Sequence, residues 1–235
     1  MRTSGGPGGK LTCVMAIDPE RKSAWLYELD LNGFILFRNF LPLDLIEQMA
    51  EQFRPIFLGE SKRLLEASSV RGPERVSIDL APYLKALRGP LDDDRFRRNP
   101  VVLEIVDAVL GSWRYGCTKA ECPMPGSQYM TWHADTTDED QEKPLRPRRI
   151  TFNVPLVDIN DANGPLEIVP GSHRMRHKDI RRIYKVPQVH GAKMLLHRGD
   201  AILRDGNGLH RGTPNLTGAP RILLDQTYRA IEDGT

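Results

Sequence analysis

The chain has 235 residues, 40% hydrophobic and 7% aromatic, enough to bury one sizeable core and too ordered in composition for a disordered polymer. Thirty-three Lys and Arg against 31 Asp and Glu leave a formal net charge of +2, so neither a basic footprint for nucleic acid nor an acidic tail is present. No run approaches the roughly 18 apolar residues that span a bilayer, and the opening MRTSGGPGGK lacks the apolar segment of a secretory signal. Cys13, Cys117 and Cys122 form an odd, sparse set unlike a disulfide scaffold, and the terminal IEDGT matches no retention or peroxisomal address. The expectation is a cytoplasmic protein with no membrane and no nucleic-acid partner.

In chain order, residues 1–10 are glycine-rich and read as a disordered leader, and residues 11–235 as a single domain, with a helical part to about 112 and a β-rich core from about 113 to 230. Ser23 to Glu28 can open a short helix, and Gly33-Phe34-Ile35-Leu36-Phe37 reads as a buried strand. From Leu43 to Leu58 the apolar residues Leu45, Ile46, Met49, Phe53 and Phe57 recur at three- and four-residue steps, which predicts an amphipathic helix. Gly59 to Pro90 is broken by charges, Gly72-Pro73 and Pro82, so loops with one or two short helices are expected there, placed as a lid. Asn99-Pro100 caps a second amphipathic helix, Val101 to Leu110, that Gly111 stops. From Trp113 to Arg229 short apolar stretches alternate with turn chemistry, which predicts an antiparallel sandwich or barrel rather than a doubly wound sheet.

His133 and Asp135 stand two apart at the end of a β-like stretch, so imidazole and carboxylate leave one face of an extended chain and can bind one metal. An H-x-D triplet alone is common by chance. His210, at another strand end, completes two histidines and one carboxylate, which leave three positions open as in non-haem Fe(II) oxygenases. The turn-rich segment Thr213 to Pro220 suggests a hairpin that pairs His210 with Arg221, whose fork would hold the distal carboxylate of a keto acid chelated at the metal. Thr213 would add a hydroxyl to that carboxylate, or is an ordinary turn threonine.

The string Asn163-Gly164-Pro165-Leu166-Glu167-Ile168-Val169-Pro170-Gly171-Ser172-His173 resembles the signature of the phytanoyl-CoA hydroxylase family of Fe(II)/2-oxoglutarate dioxygenases. The resemblance extends to Trp132-His133-Ala134-Asp135, Gly199-Asp200, Asn215 and Arg221, and covers about Leu29 to Arg229. It implies a double-stranded β-helix (a jelly-roll, cupin-like core) with flanking helices. It also implies His133, Asp135 and His210 as iron ligands and Arg221 as the 2-oxoglutarate anchor, with O2 as co-reactant and succinate and CO2 released. Many members carry a glutamine where this chain has Met130. Halogenating relatives lack the carboxylate ligand, so Asp135 argues for hydroxylation, or for desaturation, epoxidation or ring formation. The substrate is expected to be a small organic molecule, most readily in natural-product metabolism. An acyl-CoA hydroxylase and a non-catalytic metal-binding module are the alternatives.

The other singular residues read as structural. His173 fixes a loop, His190 and His197 lie on the surface, and Cys117 and Cys122 are free thiols rather than a zinc site. The charged stretches Asp138 to Arg149 and Arg174 to Arg182 are solvated faces first and substrate-greeting surfaces second.

Overall fold

The computed structural model describes residues 17–66, 74–86, 88–136, 146–183, 186 and 189–231. The expected leader, Cys13 and the acidic residues from Asp138 to Glu142 lie outside the described residues. The first helix, α1 (Pro19–Asn32), is longer than the segment the sequence suggests, because Asp18 caps it by accepting from the Arg21 amide and proline occupies its first turn. It stops at Gly33, whose φ of +83° suits a left-handed cap and whose amide reaches the Leu29 carbonyl. Strand β1 (Phe34–Phe37) follows where expected.

Helix α2 (Leu43–Glu66) starts as predicted but runs on through Pro55 and Gly59. Pro55 is exposed, so the carbonyl it leaves unpaired one turn back faces water, and the Lys62 to Glu66 stretch consists of good helix formers. The expected loop region contains a strand, β2 (Arg75–Asp79), and a short helix, α3 (Ala81–Ala86). One further turn, α4 (Asp94–Arg97), precedes α5 (Pro100–Leu110), where Asn99 accepts from the Val101 and Val102 amides as its sequence predicts.

The remaining elements are β3 (Trp113–Pro123), β4 (Arg149–Pro155), β5 (Leu166–Ile168), α6 (His177–Ile183), β6 (Ala192–Met194), β7 (Ala201–Asp205), β8 (His210–Gly212) and β9 (Leu223–Ala230). They form two antiparallel sheets, six-stranded in the order β1-β7-β4-β9-β3-β2 and three-stranded in the order β6-β5-β8. This is the mainly β, double-stranded β-helix architecture, with helices packed on one face of the large sheet. Among the described residues no helix is long and apolar enough to cross a membrane.

Alternation along the strands divides the large sheet. Ile150, Phe152 and Val154 of β4, Leu203 of β7 and Leu224 and Tyr228 of β9 join one apolar cluster with Ile46, Met49 and Phe53 of α2 and Val102, Ile105 and Val106 of α5. Each such fully buried side chain contributes about 1.5–3 kcal/mol of transfer free energy. The alternate residues turn to the space between the sheets, where Ile202 and Leu223 pack on Leu166, Ile168 and Met194. Further along the same face these residues become polar.

The expected hairpin pairing of His210 with Arg221 does not form. His210 pairs with Ile168 of β5, whereas β9 pairs with β3 and β4 in the other sheet. The turn from Thr213 to Pro220 therefore crosses between sheets, and Arg221 enters the interior from the opposite wall, its amide bonded to the Pro123 carbonyl at 3.1 Å.

Candidate metal centre

Residues 130–135 run antiparallel beside β8. The Met130 amide meets the Gly212 carbonyl at 2.9 Å, His133 and His210 exchange both amide bonds at 3.0 and 2.9 Å, and the Asp135 amide reaches Gly206 at 2.7 Å. Backbone pairing thus sets the two histidine rings 4.4 Å apart and brings His210 Nε2 to 3.7 Å from Asp135 Oδ2. One donor atom from each of His133, Asp135 and His210 lies within 4.8 Å of the others.

Both rings are oriented from behind. His133 Nδ1 lies 2.9 Å from the Thr131 carbonyl and His210 Nδ1 lies 2.8 Å from the Gly208 carbonyl. A carbonyl only accepts, so each Nδ1 carries a proton and is engaged, which leaves Nε2 as the atom each ring can turn to a metal. Burial opposes charge on Asp135, but Arg204, His210 and Arg149 outweigh it and hold the carboxyl well below the usual carboxylate range. Burial, with Arg204, holds His210 well below the ordinary histidine value. The set is a carboxylate and two imidazoles, the donor chemistry that suits a divalent iron with open positions.

These residues open into a cavity of about 670 Å³, lined also by Arg75, Lys119, Glu121, Tyr129, Met130, Asn153, Arg204, Arg221 and Asp225. Arg221 is 3% exposed; its Nε donates to the Gly164 carbonyl at 3.0 Å, while Nη1 is buried without any hydrogen-bond partner. Burial pulls the guanidinium below its ordinary pKa. An orphaned cationic donor sealed beside an open metal-ligand set fits a ligand with a carboxylate at one end and a chelating group at the other. The Arg211 guanidinium lies 4.2 Å from the ring centres of both Tyr129 and Trp132, which line the cavity, and donates to Glu167 at 2.7 Å.

Thr213 is buried, but its hydroxyl donates to the Pro165 carbonyl at 2.8 Å, and it is not among the residues lining the cavity. Gln128 turns its amide to the Gly126 carbonyl, while Met130 lines the cavity. His173 donates to the Asp30 carbonyl through Nε2 at 3.1 Å, Ser172 Oγ accepts from the Leu209 amide at 2.8 Å, and the Gly171 amide donates to the Asn32 carbonyl at 2.9 Å. The Pro170 to His173 turn therefore bolts the end of α1 to the strand that carries His210. His190 and His197 are exposed, Cys117 and Cys122 are free thiols, and Arg174, Arg176 and Arg182 form surface ion pairs with Asp30 and Asp179.

The cavity residues that motif reading passed over are Arg204, Asn153, Asp225, Lys119 and Glu121. Arg204 and Asn153 interrupt apolar strand runs at inward positions, as in Ala201-Ile202-Leu203-Arg204, and that interruption is the signal that exposes them; Lys119, Glu121 and Asp225 lie in mixed polar stretches that carry no such signal.

The family pattern described as phytanoyl-CoA dioxygenase matches residues 29–223. An ectoine dioxygenase of Bordetella parapertussis is 26% identical over 88% of this chain and 74% of its own length. One from Nocardia farcinica is 26% identical over 94% and 83%. Among solved structures, AviO1 from Streptomyces viridochromogenes superposes with a TM-score of 0.64 at 20% identity, covering 91% of this chain and 96% of its own. The epimerase SnoN of nogalamycin biosynthesis, in complex with Fe3+, alpha ketoglutarate and nogalamycin RO, gives 0.60 at 19% identity, covering 91% and 85%.

Proposed function

We propose that this chain, which belongs to the phytanoyl-CoA dioxygenase family and is a 2-oxoglutarate-dependent iron dioxygenase, hydroxylates a C–H bond of a small organic molecule in natural-product metabolism. His133, Asp135 and His210 hold the iron, and Arg221 holds the distal carboxylate of 2-oxoglutarate. The observation that carries this reading is the buried, unpartnered Nη1 of Arg221 in the cavity that contains the three ligands. A non-catalytic metal module needs no such donor, and a closed structural site needs a fourth ligand, which is absent among the described residues.

Iron, 2-oxoglutarate and O2 together supply the oxidation, with succinate and CO2 released. The chain's own residues do the rest. The Thr131 and Gly208 carbonyls hold the Nδ1 proton of each histidine, and the one carboxylate ligand leaves positions for the cosubstrate and O2. Arg221 fixes the cosubstrate's far end, and Thr213 supports it at one remove through the Pro165 segment next to Gly164. Tyr129 and Trp132, clamped by Arg211, line the cavity that would receive the substrate. The small-molecule reading draws support from the ectoine dioxygenase and nogalamycin relatives. The cytoplasmic reading draws support from the unpaired cysteines.

The test is succinate formation from 2-oxoglutarate by the chain loaded with Fe(II), against the same chain with Zn(II), followed by a metabolite screen by mass spectrometry. Equal succinate with either metal, or none with Fe(II), overturns the reading.

A further inference from the structure

Arg204 carries no role in the metal set or in the anchor. It is 5% exposed, lines the cavity from β7, and is fixed on two sides: Nε donates to Asn153 Oδ1 at 3.2 Å and Nη1 donates to Asp135 Oδ2 at 2.9 Å. Asn153 is itself held, donating through Nδ2 to the buried Asp225. The remaining nitrogen, Nη2, makes no hydrogen bond among the described residues. A guanidinium locked along two edges by a relay from the sheet floor has one edge left, and its rigid fork fixes where that edge looks.

Charge balance says what belongs there. Without metal, Asp135 neutralises Arg204 as a close ion pair. Once a dication draws on the same carboxylate, Asp135 is shared between the ion and Arg204, and the Arg149 guanidinium stands only 3.9 Å from its other oxygen. A buried cation whose counter-ion has been shared out needs a second anion within hydrogen-bond reach.

We propose that Arg204 Nη2 receives the 1-carboxylate of the 2-oxo acid at the metal, so that this chain grips its cosubstrate with an arginine at each end. Arg221 takes the distal carboxylate and Arg204 the reacting end, while Arg204 also keeps Asp135 oriented. The proposal rests on the reading of the site as a 2-oxoglutarate-dependent iron centre.

Two oxo acids separate the ends. 2-Oxobutyrate shares the chelating 2-oxo carboxylate with 2-oxoglutarate but lacks the distal carboxylate. Both are titrated into the anaerobic protein at saturating Fe(II), following the metal-to-ligand absorption band, with bound iron measured separately. Arg204→Gln should weaken both acids by a similar factor, about tenfold or more, as loss of a charge-assisted hydrogen bond predicts. Arg221→Ala should weaken 2-oxoglutarate and leave 2-oxobutyrate near the native value. Arg204→Lys keeps the charge but cannot reach Asn153, Asp135 and a ligand together, so it should weaken both acids several-fold; it decides the matter if the glutamine variant does not fold. Native affinity for both acids in the folded Arg204 variants, or a loss confined to 2-oxoglutarate, overturns the proposal and leaves the iron centre standing. No chelate band in the unsubstituted protein overturns the underlying reading instead.

Discussion

The two faces of the large sheet come from the same strands yet obey opposite rules. Toward the helices, Ile150, Phe152, Val154, Leu203 and Leu224 are all fully buried carbon. Toward the cavity, their neighbours Asn153, Arg204 and Asp225 are equally buried and polar, linked in a row that ends on Asp135. The first face lowers the free energy of folding by removing apolar surface from water. The second raises it, since burial pushes the Asp225 carboxyl up and each buried charge tolerates only a matched partner. A β-strand can serve both ends because its period of two sends adjacent residues to different solvents. The difference teaches that stability and chemistry are partitioned here by residue parity, one position apart.

Substitutions that break this partition should produce separable effects. The largest is functional: His210→Ala should remove bound iron and reduce turnover by orders of magnitude with a near-native melting temperature, read by metal analysis and 2-oxoglutarate consumption. A folded variant with full iron and activity would falsify the ligand assignment. On the other face, Phe152→Ala should cost about 3–5 kcal/mol in urea unfolding, with any surviving folded protein keeping its cosubstrate affinity. Arg221→Ala should weaken 2-oxoglutarate binding by about 2–5 kcal/mol and leave Fe(II) binding close to native. A loss of iron as well would mean that the two walls are not independent.

The smallest effect concerns Asp205, a polar residue that shares the row of Ile150 and so violates the helix-side rule. Burial raises its carboxyl from 3.8 to about 6, the Asn207 amide offsetting only part of that. The folded chain then keeps a proton that the unfolded chain has released, so this stability is full below pH about 4 and lost as pH rises through about 6. Asp205→Asn should flatten that decline by up to about 3 kcal/mol, measured as unfolding free energy across the interval. An unchanged slope would put the dependence on another group.

Local chemistry carried much of this arrangement. The Asn99-Pro100 cap, the β1 run and the α2 periodicity needed only neighbours a few residues away. The candidate metal set was legible as a cluster because His133 and Asp135 sit two apart and the Pro170 to His173 turn lies in a recognisable string. Strand β2 was not, although Val76 and Ile78 alternate, because it is held by pairing with β3 some 40 residues later and flanked by charges and Gly72-Pro73. The hairpin expectation failed for a related reason: the turn after His210 is visible in sequence, but which sheet the chain enters next is decided by packing. Arg204 acquires meaning only from partners 51 and 69 residues away.

The bolt at Pro170 to His173 also constrains when the centre can come into being. It joins Asp30 and Asn32 to the strand of His210, spanning 143 residues between His173 and Asp30, and the Asp205 amide closes onto Gly33 alongside it. Contacts between such distant parts of a chain form late, since loop closure must be completed before they repay it. During synthesis the first two of the proposed ligands, His133 and Asp135, emerge some 75 residues before the third, His210. The proposed centre, which needs all three donors, is therefore complete only when this closure has set residues 133–135 beside β8.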